Sequence, residues 1–240
     1  MPKYETTLTR GETVAEGTMA FHFAKPAGFK FTAGQSMNVS LIDPPETDGK
    51  GNSRTFSIVS AAHENELVVA TRMRDTAFKR VLKSMPADGR VGLRGPAGMF
   101  TLDGADARPA VFLAGGIGIT PFVSMSRQAA HDRLARDIWL FYSNRRPEDA
   151  AFLDELAALP RGNPRYRFVG TMVEMAKSSR PWSGETGFLD RTMLELHLKD
   201  LSAFVYYMAG PPGLVEAMQK MLTAAGVAEE AIHTDEFFGY

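Results

Sequence analysis

The residues best suited to holding a phosphate lie in Val111-Phe-Leu-Ala-Gly-Gly-Ile-Gly-Ile-Thr-Pro121, where a buried-strand composition runs into glycines and then into Thr and Pro. Glycine permits positive φ and close approach of a ligand to the backbone, Thr can cap a helix, and Pro suits the first helical position. A helix starting there offers free N–H groups and a positive dipole end to an anion. The same glycines would also serve packing alone, so the motif has to be weighed with its neighbours. Tyr206-Tyr-Met-Ala-Gly-Pro-Pro-Gly213 is a second strand-to-helix junction, bare at Ala209, Gly210 and Pro211. Two such junctions on one sheet favour a nucleotide crevice over punctuation.

Three further constellations carry polar chemistry. Arg54-Thr-Phe-Ser57 opens a strand after a polar loop, and a lone Arg there is by default a solvated strand-edge charge. Between residues 72 and 83, Arg72, Arg74, Lys79, Arg80 and Lys83 face only Asp75, beside a helix expected to begin at Thr76. That cluster reads equally as a phosphate site or as a solvated helix face. The ending Asp235-Glu-Phe-Phe-Gly-Tyr240 places three aromatics in its last four positions. Chain ends are usually polar, so this one is expected to dock on something flat and apolar.

These groups need elements to hold them. Up to about Phe100, short alternating stretches (residues 18–24, 37–42, 55–60, 66–72 and 90–94) are separated by Gly, Pro, Asn and Asp, as in an antiparallel barrel or sandwich. One helix interrupts them at 76–85, with Phe78, Val81, Leu82 and Met85 on a single face. The polar segment after Phe100 is the expected boundary between domains of residues 1–104 and 105–240. Beyond it strands and helices alternate: strands at 110–114, 138–142, 166–171 and 204–208, helices at 121–133, 148–159 and 211–225. Such alternation means a parallel sheet covered by helices, with ligands at the carboxyl ends of its strands.

Composition narrows the chemistry. Of 240 residues 44% are hydrophobic and the net charge is −1, which gives no general attraction to nucleic acid or an anionic membrane. There is no cysteine, hence no disulfide and no cysteine-ligated zinc or iron–sulfur cluster within these residues. The five histidines lack metal-ligand spacing, so no metal site is expected. The start has no apolar leader and the longest apolar stretch is too short to cross a bilayer, so a cytoplasmic protein without membrane insertion is expected.

Taken together and in order, these motifs resemble the ferredoxin–NADP reductase family of flavoproteins over nearly the whole chain. Arg54-Thr-Phe-Ser57 is similar to its flavin motif, Gly95-Pro-Ala-Gly-Met-Phe100 to its barrel end, Gly115-Gly-Ile-Gly-Ile-Thr-Pro121 to its pyridine-nucleotide turn, Ala209-Gly-Pro-Pro to its Cys-Gly-Pro-Pro element, and Glu236-Phe-Phe238 to its C-terminal Glu-x-aromatic. The resemblance implies a six-stranded antiparallel flavin barrel followed by a five-stranded Rossmann-like α/β domain, with an iron–sulfur domain missing. It implies FAD, less readily FMN, held by Arg54, Thr55, Phe56, Ser57, Thr71, Arg72, Thr76 and Lys79 and covered by Phe238. Gly115, Gly116, Gly118 and Thr120 would face the dinucleotide pyrophosphate, Ala209, Gly210 and Pro211 would admit the nicotinamide, and Ser143, Asn144 and Arg145 follow the second strand, where a cation can meet a 2′-phosphate. Ser57 and Glu236 would be the catalytic pair.

Two departures from the family pattern matter. Ala209 replaces its Cys, and Thr171-Met172 stands where NADP-specific members carry an arginine, although Arg145 and Arg146 follow the second strand. The balance favours NADH over NADPH. The implied reaction is hydride uptake from the nicotinamide and release of electrons to an external carrier such as ferredoxin, flavodoxin or an oxygenase component. A regulatory subunit that binds both nucleotides with little turnover is the alternative. A conventional dehydrogenase is a third reading, disfavoured because Ser143 stands where an acidic residue is expected.

Overall fold

The barrel expectation rests on short strands spaced by turn residues; burial alternates along Ser36–Leu41 and Arg90–Ala97 and is nearly continuous along Glu66–Arg72. The computed structural model describes residues 1–102, 104 and 106–237. Its first half comprises β1 (Lys3–Ala15), β2 (Thr18–Ala24), β3 (Ser36–Leu41), β4 (Ser53–Ser57), β5 (Glu66–Arg72), α1 (Ala77–Ser84) and β6 (Arg90–Ala97). The strands form one six-stranded sheet in the order β4-β3-β6-β1-β2-β5, every pair antiparallel. Just past β4, Val59 N–H donates to Val68 O at 2.7 Å, which brings the two outer strands together and curls the sheet into a barrel. Phe21, Phe23, Met37, Val39, Leu67 and Leu93 fill its interior, and α1 adds Phe78 and Leu82. Thr76 caps α1, its side chain accepting from Lys79 N–H at 3.4 Å.

The second half comprises β7 (Ala110–Gly115), α2 (Thr120–His131), β8 (Ile138–Asn144), α3 (Leu153–Ala158), β9 (Tyr166–Met172), β10 (Glu185–Thr186), α4 (Arg191–Leu198), β11 (Val205–Gly210), α5 (Pro212–Ala224) and β12 (Ile232–Glu236). Its sheet runs β10-β9-β8-β7-β11-β12, all parallel, six strands where the resemblance implied five. β10, of two residues, and β12 are the two that the strand reading of the sequence did not include. Val111, Leu113, Tyr206 and Met208 pack on one face beneath Leu194 of α4 and Met218 and Leu222 of α5. Phe112, Ala114, Leu140, Tyr142 and Tyr207 pack on the other, against Phe122 and Val123 of α2 and also Ala20, Val59, Val68 and Ala70 of the barrel. One apolar layer therefore fixes barrel and sheet together, and Arg146 adds an ion pair to Glu16 at 3.0 Å.

Several elements differ from expectation. Residues 148–159 do not make one helix: a 3-10 turn at Pro147–Asp149 precedes α3, and Phe152 at φ +59° breaks the path between them. β1, α4 and β12 were not expected. β1 buries only Leu8 completely, so its sequence carries almost no alternation. Thr120 does not cap α2; the turn is itself a 3-10 helix (Gly116–Ile119), and the Thr120 hydroxyl donates to Ile117 O at 3.1 Å inside it. Among the described residues no helix is long and apolar enough to cross a membrane.

Candidate functional site

Two clefts meet where the barrel faces the carboxyl ends of the parallel strands. The first, of about 380 Å³, is lined on the barrel side by Arg54, Thr55, Phe56 and Ser57 of β4, Thr71 and Arg72 of β5, and Thr76 and Lys79 at α1. Thr120, Asp235, Glu236 and Phe237 line it from the other half. The residues of the expected flavin motif are thus gathered at one place with Glu236, because β3 holds β4 in register (Ser36 opposite Ser57, Met37 opposite Phe56). Phe237 is anchored by donation from its backbone N–H to Gly210 O at 3.1 Å. Phe238 lies outside the described residues.

Cations gather in the lining of this cleft. Lys50, Arg54, Arg72 and Lys79 line it, and burial, followed by the neighbouring Arg74, Arg54 and Lys50, pushes the Lys79 ammonium below its usual range. Cations gathered this closely form a ready anion site, and phosphate fits that donor set. Arg54 is more constrained than its sequence suggests. Its Nη1 donates to Lys50 O, Gly51 O and Ser53 O at 2.7 to 2.9 Å, and its Nη2 pairs with Asp48 at 3.0 Å. Its guanidinium also sits 5.2 Å from the Phe78 ring centre. Arg54 therefore organises loop 48–53 as well as the cleft wall. Neutral and acidic groups share the lining: Ser57 is buried, and burial raises the Asp235 carboxyl above its usual range.

The second cleft, of about 550 Å³, opens along the parallel sheet and is predominantly apolar. Gly115 and Gly116, Ser143, Asn144 and Arg145 at the end of β8, and Pro211 at the head of α5 line it, opposite Val173, Phe188 and Leu214. Gly116 is at φ +53°, a conformation glycine adopts freely. Asn144 is 5% exposed, and among the described residues neither amide atom has a hydrogen-bond partner at normal geometry, with the Tyr142 hydroxyl its polar neighbour. A buried, unanswered amide in a cleft wall is a mark of a site built for a polar ligand. Arg145 pairs with Asp149 at 2.9 Å and Arg146 pairs with the same carboxylate, whose side chain is 3% exposed. Thr171 donates its hydroxyl to Gly187 O at 2.7 Å and Met172 is buried, so neither lines the cleft.

Three expected residues lie behind the clefts. A Cβ on Gly118 would meet Ala209 O at 2.3 Å and Gly210 Cα at 2.5 Å, and one on Gly210 would meet Gly115 N at 3.1 Å. Gly118, Ala209 and Gly210 thus join the two junctions backbone to backbone, and none of them lines either cleft. Thr120 borders the first cleft instead of the second. Sequence reasoning overlooked Asp235, Lys50, Ile117 and Phe188. Ile117 and Arg72 line both clefts, and Phe188 is 79% exposed at the rim of the second. Nothing in the sequence marks Phe188, because its exposure is set by the loop that follows β10. Among the described residues no cluster of His, Asp and Glu is arranged to hold a metal ion.

Comparisons with known proteins bear on this geometry. A family model described as an oxidoreductase NAD-binding domain matches residues 112–220. Ferredoxin–NADP reductase B of Sorangium cellulosum is 31% identical over 75% of the chain, which spans 71% of that relative. The reductase component of propane 2-monooxygenase from Rhodococcus jostii is 26% identical over 97% of the chain, which spans 63% of it. Among solved structures, a ferredoxin NADP+ reductase from Neisseria gonorrhoeae with bound FAD and NADP superposes with a TM-score of 0.82, at 23% identity, covering 98% of this chain and 99% of that one.

Proposed function

Because the chain belongs to the ferredoxin–NADP reductase family, we propose that it takes hydride from a nicotinamide nucleotide in the 550 Å³ cleft to FAD in the 380 Å³ cleft and passes the electrons to an external carrier. Residues 1–104 act as the flavin domain and residues 105–240 as the nicotinamide domain, working in the cytoplasm. The observation that carries this reading is the meeting of two clefts of different character, one with buried Ser57 and a cation cluster, the other with the glycine turn and an unanswered amide.

A bound flavin supplies a centre that accepts a hydride pair and releases electrons one at a time. The chain supplies positioning. Lys79, Arg72 and Arg54 would hold the flavin's phosphate, Phe56 would pack on the ring system, and the Ser57 hydroxyl would be available to hydrogen-bond the reacting ring. Gly115, Gly116 and the first N–H groups of the turn would hold the pyrophosphate, and Asn144 would meet a ribose or phosphate oxygen. Most of the rate comes from alignment, since hydride transfer needs its donor and acceptor atoms about 3 to 3.5 Å apart in a dry stack. Glu236 and Asp235, whose carboxyl burial raises above its usual range, would supply hydrogen bonds from the wall of the first cleft. No cysteine is available within these residues to ligate a cluster, so electrons leave to a group outside this sequence, of ferredoxin, flavodoxin or oxygenase type.

NADH is the preferred donor. Arg145 is engaged by buried Asp149, Thr171 and Met172 face away from the cleft, and Glu174 follows Val173, which disfavours a 2′-phosphate. The test is purification with FAD followed by NADH-dependent reduction of a one-electron acceptor. A protein that retains FAD and turns over supports the reading; one that stays colourless in FAD, or binds it without turnover, contradicts it and in the latter case leaves a regulatory subunit.

A further inference from the structure

Arg72 ends β5 on the barrel sheet, yet it lines both clefts. A Cβ added to Gly116 would lie 2.9 Å from Arg72 Nη2, so the guanidinium rests over the glycine turn of the other half. Its backbone carbonyl accepts from Lys79 Nζ at 2.7 Å, which fixes the strand end. Among the described residues its guanidinium makes no hydrogen bond and no ion pair, whereas Arg54 is tied to Asp48 and Arg145 to Asp149. A half-buried guanidinium with unanswered donors is costly unless a ligand supplies acceptors. Its planar fork has donors on two edges and can serve two oxyanions at once.

We propose that Arg72 is a shared phosphate ligand, one edge holding the diphosphate of the flavin nucleotide and the other that of the pyridine nucleotide, so that each strengthens the binding of the other. This rests on the two-nucleotide reading above. Whichever nucleotide arrives first orders the long side chain, and the second then meets a fixed guanidinium. Linkage makes the effect reciprocal.

The test follows FAD release from the flavin-loaded protein, read as the rise in flavin fluorescence after dilution, with and without saturating NAD+, which cannot reduce the flavin. In the wild type NAD+ slows release by about fivefold or more. In Arg72→Gln both FAD and NAD+ bind about tenfold more weakly, and NAD+ no longer slows release. Arg72→Lys keeps the charge without the fork and retains part of each affinity while losing the coupling. Arg161→Gln, at an exposed cation that lines neither cleft, behaves as wild type. Equal release with and without NAD+ in the wild type, coupling that survives in Arg72→Lys, or loss of only one nucleotide in Arg72→Gln overturns the proposal. If Arg72→Gln does not fold, the wild type and Arg72→Lys decide it. A wild type that reduces its FAD with NADH but shows no coupling overturns the role of Arg72 alone; one that holds neither nucleotide overturns the functional reading as well.

Discussion

Replacing Gly118 with alanine should cost more than its position in a ligand-binding motif suggests. The new Cβ would stand 2.3 Å from Ala209 O and 2.5 Å from both Ala209 C and Gly210 Cα. All three are backbone atoms of β11, the central neighbour of β7, so none can swing aside like a side-chain tip. Restoring ordinary contact requires the turn and β11 to part by roughly 1 Å, and overpacking on that scale costs about 1 to 3 kcal/mol or more. For a chain of 240 residues that lowers Tm by about 3 to 10 °C. The same displacement moves Gly115 and Gly116 away from the cleft, so KM for NADH should rise about tenfold or more. Gly213→Ala is the control: it lines the same cleft, its Cβ would meet nothing within 4 Å, and its effect on Tm should be small or slightly stabilising. Differential scanning calorimetry and steady-state kinetics on both variants check this. A Gly118→Ala protein with wild-type Tm and wild-type KM would refute the claim that this glycine exists for backbone contact.

Other expectations follow from the same geometry. Ser57→Ala should retain FAD but slow its reduction by about 10- to 100-fold in stopped flow, and an unchanged rate would remove Ser57 from the catalytic list. Arg54→Ala should lower both flavin retention and Tm, because the residue also ties loop 48–53; a loss of flavin alone would contradict its hydrogen bonds in the structure. Asp149→Asn should free Arg145 and narrow the NADH preference, read as the ratio of kcat/KM for the two donors, and a ratio that does not move would mean that Arg145 is not near the ribose. Glu148 has its carboxyl held down at about 2 by its own backbone N–H and then by Ser178 and Ser179. A folded value below the unfolded one gives stability that is complete above the unfolded carboxylate range and lost as pH falls through the folded value. Wild-type Tm should therefore fall below about pH 4.5, and less steeply in Glu148→Gln.

Much of this arrangement was legible in the sequence because it depends on local patterns. The period-two strands, the helix at 76–85 and the strand-to-helix junctions each announce themselves through a few neighbouring residues. What was not legible depends on partners distant in sequence. β1 is nearly all polar and becomes a strand only by pairing with β2 and β6. Gly118 looked like a ligand contact because its spacing matches one, and only the approach of β11 shows where its Cα face points. Arg145 looked like a free cation until Asp149, four residues on, was seen to be buried against it. Asp235 was hidden beside the more familiar Glu236, although parallel pairing with Ala209 brings it to the cleft.

The central claim is that a nucleotide in one cleft reduces a flavin in the other. Anaerobic mixing of the FAD-loaded protein with NADH or NADPH, followed at the flavin absorbance band, tests it most directly. The account predicts rapid bleaching with NADH, slower bleaching with NADPH, and recovery of colour on adding a one-electron acceptor. Retained flavin that neither nucleotide bleaches would contradict it.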